Sequence, residues 1–347
     1  MGRKIGDWYH YWGAIHIHTT ESDGTRPLEE VVELGRQSDL DFMMFTDHMN
    51  LVNRPKEGFY GQTLVTVGYE HNDHDDNHHY LLFDTPNVYP EGMSAREYVA
   101  AGARDGALGI LAHPDEVRET LPEFPPYPWL DWNVEGYTGL ELWNQMSEWT
   151  EKLTRFNKLI MSLSPRKSMI GPSKRILERW DQLNLQRKVV GTAGVDAHAF
   201  PVRLGPWTVE IFPYKVHFKT LKLFVILNEP FSRDLEIAKK QLYGAIKDCR
   251  VYFANLKWGK VDGLEFHAIN DTEKVVCGGS IKTVENTRLI LKLPDQATVK
   301  LIHNGNLVLE TLAKSIDYKV IEPGIYRIEA WKGKRGWVFT NHIRVAC

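Results

Sequence analysis

Cysteine is scarce in this chain. Three thiols among 347 residues, Cys249, Cys277 and Cys347, stand far apart with no C-x-x-C spacing. That pattern excludes a disulfide-stapled scaffold and a thiolate zinc knuckle, and reads as reduced cysteines in a cytoplasmic protein. Long apolar runs are missing too: none approaches the ~18 residues of a membrane span. No apolar stretch follows the N-terminal charges as a signal peptide would require. The Met1-Gly2 opening lacks the following hydroxyl residue of an acylation site, with Asp7 nearby instead. Neither sign of charge dominates, since 42 basic and 45 acidic residues leave a net charge of −3. A whole-chain electrostatic footprint for nucleic acid is therefore lacking. There is no internal repeat and no low-complexity tract. A cytoplasmic chain that binds a small molecule, and neither a nucleic-acid polymer nor a membrane, is the expectation.

What is present falls into two patterns. Up to about residue 200, short apolar runs alternate with amphipathic segments. The runs predict strands over 13–18, 41–46, 63–69, 80–83, 108–112, 139–143 and 189–194. Between them Leu28, Val31, Val32 and Gly35, and then Ala95, Tyr98, Val99 and Gly102, recur at helical spacing. Ser94 with Glu97 forms a capping box, Pro27 suits a first turn, and Ile176, Trp180 and Leu183 mark a later helix. Strands alternating with helices imply an α/β protein with a parallel sheet, open or closed as a barrel. Past residue 230 a helical stretch over 235–247 leads into alternating β sequence. Its turn signals are Gly278-Gly279, Asn304-Gly305, Pro323-Gly324 and Lys332-Gly333. This reads as a small C-terminal β-sandwich. The expected domains are a barrel over 1–228, then a helical linker and sandwich over 229–347.

Chemistry concentrates at the predicted strand ends. The first carries His16-Ile17-His18, whose period-two alternation turns both imidazoles to one side. Ser22-Asp23-Gly24 follows. Later ends carry Thr46-Asp47-His48, Gly68-Tyr69-Glu70, Ala112-His113-Pro114 and Gly194-Val195-Asp196-Ala197-His198. The run from His71 to His79 enters the strand at Tyr80. C-terminal strand ends of a parallel sheet open onto one face, so these groups can meet in one pocket. Nine of the fourteen histidines lie before residue 114, mostly at such ends, which solvated loop histidines do not explain. His71, His74 and His78 taken singly read as loop residues, and His10 and His217 as packing or surface residues. Asp47 reads as a residue that orients a neighbour.

This order of motifs (H-x-H, S-D-G, T-D-H, a glutamate, H-P, D-A-H) resembles the PHP family, the polymerase and histidinol phosphatase domains, over about residues 10–210. Glu178–Leu183, Gly191–His198, Pro323–Glu329 and Trp337–Asn341 are similar to the carbaryl hydrolase-like (CehA/McbA) subgroup. The resemblance implies a distorted seven-stranded (β/α) barrel, TIM-like, followed by the β-sandwich. It implies two or three divalent ions, with His16, His18, Asp196 and Glu70 at the first. Glu70 would bridge to a second, held by His113 and another histidine. His79 is the choice because it directly precedes a strand, and His78 is the alternative. Asp23, His48 and His198 would hold the third. Glu70, Asp196 and His198 would be the catalytic groups, with His198 or a nearby water as proton donor.

Imidazole and carboxylate without thiolate suit Zn, Mn or Fe. Two ions about 3.5–4 Å apart can acidify a shared water and neutralise an oxyanion. Arg203, Arg166 and Asn144 are the substrate-binding candidates. The Trp8–Trp12 aromatic cluster reads as a pocket wall for an apolar group or as packing. The leading expectation is a phosphoesterase acting on a small phosphomonoester or nucleotide. The alternative is a carbamate, ester or amide hydrolase. A non-catalytic interaction protein braced by metal, and an oligomer formed through the β-sandwich, complete the range.

Overall fold

The helical spacings produce helices. Leu28–Arg36 buries Leu28, Val31, Val32 and Gly35, while Ala95–Arg104 buries Ala95, Tyr98, Val99 and Gly102 and begins on the Ser94–Glu97 capping box. A computed structural model describes residues 2–74, 77–119, 124–204 and 207–346, without the side chains of 158–159 and 202–209. It is a mixed α/β chain that divides into two compact units, each assembled from separate stretches. The first comprises Trp12–Met169 and Ala193–Lys222; the second comprises Gly2–Tyr11, Ile170–Thr192 and Leu223–Cys347.

In the first unit the end of strand Trp8–Ile17 runs parallel to Phe42–Phe45, which runs parallel to Thr63–Val67. A second group places Tyr80–Phe83 between Tyr69–His71 and Leu108–Leu111, with Gly139–Asn144 parallel to the last. Backbone bonds tie the two groups at their site ends. Glu70 N–H donates to the Asp47 carbonyl at 3.2 Å, and Val195 N–H to the Ile15 carbonyl at 3.0 Å.

One expectation needs correcting. Tyr80–Phe83 is antiparallel to both neighbours, so the sheet is not purely parallel. Only eight residues separate His71 from Tyr80, and a parallel crossover needs roughly a dozen or more. The chain therefore turns straight back. The start of that strand, preceded by His79, thus lies beside the end of Tyr69–His71.

In the second unit six strands pair antiparallel in one path: Lys274–Val276, Glu265–Ile269, Arg288–His303, Gly324–Lys332, Arg335–Thr340 and Val251–Asn255. Asn304 and Gly305, with φ of 49° and 82°, join Arg288–His303 to Asn306–Lys319 in a two-residue hairpin. Cys249 and Cys277 are unpaired and buried. Helix Lys174–Gln186 presents Asp181 to a buried ion network. Arg327 donates to both Asp181 oxygens at 2.6 and 2.7 Å and to Glu329 at 2.7 Å, and His342 Nε2 lies 2.7 Å from Asp181 Oδ1.

Burial pushes the Asp181 carboxyl up, but Arg327 and His342 outweigh it and hold it below its usual value. Burial lowers His342 to about 4 against the pull of Asp181, so the ring is neutral at pH 7 and donates to the carboxylate. Between pH 6.5 and 4 the native state binds fewer protons at His342 than the unfolded chain, so stability rises with pH across that window. Asp181→Asn leaves the Arg327 charge short of its partner and should cost about 3–5 kcal/mol in urea denaturation at pH 7. His342→Gln should lose less stability than wild type on acidification from pH 6.5 to 4.5; an identical loss would rule out the assignment.

Candidate metal centre

The two first-strand histidines reach one site by a less regular route than simple alternation. His16 is an extra residue in the pairing with Phe42–Phe45 and has φ of 65°. Both rings are buried and their centroids lie 5.1 Å apart. His113 and Asp196 also carry positive φ, 27° and 51°. Such backbone costs about 1–3 kcal/mol per residue and persists where the surroundings enforce it.

Glu70 is the centre of the arrangement. Its Oε2 lies 3.0 Å from His16 Nε2, 3.2 Å from His18 Nε2 and 3.6 Å from His48 Nε2. Its Oε1 lies 2.9 Å from His79 Nδ1 and 3.3 Å from His113 Nε2. Asp196 Oδ1 is 3.4 Å from His16 Nε2 and 3.5 Å from His18 Nε2. On the solvent side Asp23 Oδ2 is 3.1 Å from His198 Nε2 and 3.8 Å from His48 Nε2. Donor atoms fall into three overlapping sets that could each hold an ion: His16, His18 and Asp196; His16, Glu70 and His113; and His18, Asp23, His48 and His198.

The donors suit a divalent cation. They are nitrogen and oxygen ligands without sulfur, and buried His18 Nε2 lies 3.2 Å from Glu70 Oε2 and 3.5 Å from Asp196 Oδ1 without a well-aligned hydrogen bond to either. Burial opposes charge on His18, yet Asp196 and Glu70 hold its pKa up at about 10. Burial likewise pushes Glu70 up, but His16, His48 and His79 keep it well below the carboxylate range. Glu70 and Asp196 therefore demand positive charge at buried positions. A bound cation meets that demand and leaves the imidazoles neutral, the form in which they coordinate.

Residues around the donors fix their orientation. Glu141 is one that sequence reasoning missed. Its Oε1 lies 3.0 Å from His16 Nδ1, while its Oε2 accepts from His113 N–H at 2.9 Å and Asn144 Nδ2 at 2.7 Å. The signal was there: an acid inside the apolar run Gly139–Trp143 is buried only where it has partners. A Cβ at Gly194 would fall 1.7 Å from Glu141 Oε1, so this glycine makes room for the carboxylate. Asp47 accepts from Thr19 N–H and Oγ1, Ser22 Oγ and Asn53 Nδ2, which moors the loop carrying Asp23.

His79 faces Glu70, whereas His78 lies 2.6 Å from Asp73 Oδ2 and receives the Asp131 N–H. His71 is buried in its strand against Tyr98 rather than looped out. Asn144 directs its amide at Glu141 and Asp196, and its oxygen caps the next helix at Ser147 N–H, which commits both ends to the protein. Arg166 Nη2 donates to the Lys219 carbonyl, and Arg166 does not line the cavity beside the donors. The Arg203 side chain lies outside the described residues. His198 Nδ1 lies 3.0 Å from the Asp196 carbonyl. A carbonyl only accepts, so a neutral ring with its proton on Nδ1 would donate there and leave Nε2 to coordinate an ion.

No protein-family model matches the chain, and no curated protein matches it. Among solved structures it is similar to a two-domain protein from Bacteroides vulgatus containing a predicted PHP-like metal-dependent phosphoesterase. Identity is 13%, coverage 99% of this chain and 97% of that one, and the TM-score 0.47. A Bifidobacterium adolescentis protein provisionally described as a metal-dependent phosphoesterase shares 15% identity over 57% of this chain and 92% of its own, with a TM-score of 0.30. Likeness at that level carries no functional weight, and the centre stands on its own geometry.

Glu141→Gln should weaken zinc or manganese affinity about 10–100-fold, the range for removing a carboxylate behind a ligating histidine. Competition titration against a chromophoric chelator measures it. Unchanged affinity would remove Glu141 from the centre.

Proposed function

We propose that the chain is a metal-dependent phosphoesterase that hydrolyses a small phosphomonoester. The observation that carries this reading is Glu70, one oxygen facing His16, His18 and His48 and the other facing His79 and His113. Glu70 and those imidazoles would together hold divalent cations. The PHP-like order of motifs agrees with it. Divalent ions bound there would supply Lewis-acid charge and lower the pKa of water.

The protein's own residues do the rest. Glu141 fixes the His16 ring, Asp196 holds His16 and His18 against Glu70, and Asp47 keeps the Asp23 loop at the mouth. Hydrolysis breaks the P–O bond to the alcohol and joins a water oxygen to phosphorus. The leaving oxygen takes a proton, giving the alcohol and inorganic phosphate. With its proton on Nδ1, His198 would serve through Nε2 as a ligand, and the leaving group's proton would come from solvent.

The same reading includes the distorted (β/α)7 barrel, supported by the backbone bonds at 45–49 and 195–197, and the C-terminal β-sandwich with its antiparallel strands. A cytoplasmic location is part of it, supported by two buried, unpaired thiols; no described helix is long and apolar enough to cross a membrane. A second reading, hydrolysis of a carbamate, ester or amide, uses the same donors and is favoured by the apolar walls of the adjoining cavity.

Elemental analysis of protein purified without chelators should find more than one transition metal ion per chain. His16→Ala should lose metal together with at least ~10²-fold in phosphomonoester turnover, a loss typical of a disabled catalytic group. Full metal and rate in that variant would refute the site. Turnover of aryl carbamates without aryl phosphates would replace this reading by the second.

A further inference from the structure

The cavity that holds the donors does not end at them. It measures about 670 Å³, within the range of small-molecule sites. Beyond the donors its described walls include Tyr127, Met146, Trp149, Leu153, Phe200 and Ile211. Tyr127 stacks on the His79 ring at 5.0 Å and Phe200 on the His198 ring at 5.1 Å, so the apolar wall begins at the donors themselves. Met146, Trp149 and Leu153 are packed with Phe212, and Trp149 Nε1 donates to the Met161 carbonyl at 3.2 Å. This wall is formed in advance rather than assembled around a ligand.

Several polar side chains in the described wall are already engaged, although Arg118 Nε is buried without a hydrogen-bond partner among the described residues. Thr150 Oγ1 donates to the Met146 carbonyl at 2.8 Å, and Glu210 accepts from Arg26. Arg118, the only lysine or arginine in the described lining, faces Glu116. A ribose, a sugar or a chain of phosphates entering here would lose its water for few replacement hydrogen bonds from the described walls. An alkyl or aryl group gains from the same burial.

We propose that the substrate is a phosphomonoester of a bulky apolar alcohol, its hydrocarbon part seated against Met146, Trp149 and Phe200. Nucleotides and sugar phosphates are then poor substrates. This rests on the phosphoesterase reading for the reacting end alone.

Two series test the proposal. Alkyl phosphonates from ethyl to hexyl, whose P–C bond resists this hydrolysis, are titrated calorimetrically into the metal-loaded protein. The matching alkyl phosphates, with leaving groups of similar acidity, are assayed for turnover. Affinity and kcat/KM should each rise about fourfold per methylene, which corresponds to ~0.8 kcal/mol of burial. Trp149→Ala should flatten both slopes. Leu163→Asp, at a lining residue 76% exposed and so harmless to folding, should do the same. Adenosine monophosphate should be no better than ethyl phosphate. A flat series in active wild-type enzyme, or slopes untouched by both variants, overturns the proposal. If phosphonate affinity climbs with chain length while no phosphate ester turns over, the apolar subsite stands and the phosphoesterase reading falls.

Discussion

A carboxylate removed from water must be met by positive charge, and Glu70 imposes that demand on the first unit. Five imidazoles crowd its two oxygens because only strand ends from separate parts of the chain can bring that many rings together. The backbone yields to the arrangement. His16, His113 and Asp196 adopt left-handed conformations, and all three are held by the group around Glu141, directly or through Asn144. Strain at these positions is affordable only while the surrounding bonds stay intact.

Much of the site was legible in the sequence because a strand fixes where its end points. His16, His18, Asp23, His48, Glu70, His113, Asp196 and His198 could be named from spacing and motif order, and the structure gathers them at one place. What spacing could not decide was His78 against His79. That choice depends on the antiparallel return at Tyr80, itself set by a connection too short to hold a helix. Glu141 and Asp47 were hard to value for a different reason. Each acts through another residue, and such partners are read from hydrogen bonds rather than from periodicity. The helices and the alternating C-terminal strands followed their patterns closely, since amphipathic period is a local property. Arg166 donates to the Lys219 carbonyl, a placement set by its loop that local pattern does not describe.

The second unit solves an opposite problem with similar parts. Asp181, Arg327, Glu329 and His342 also place charge out of water, but here the charges close on one another. Arg327 is satisfied on both sides, and His342 stays neutral. The Asp181 and Glu329 charges are met there by Arg327. In the first unit the acids and imidazoles remain short of balance, and this difference separates a brace from a binding centre.

The donors and one part of the cavity wall come from different pieces of chain. The donors occupy strand ends, locked by backbone strain and by Glu141, while Met146, Trp149, Leu153 and Leu163 lie on the segment after Asn144. Substitutions along that segment can therefore reshape the cavity while leaving the donors in place.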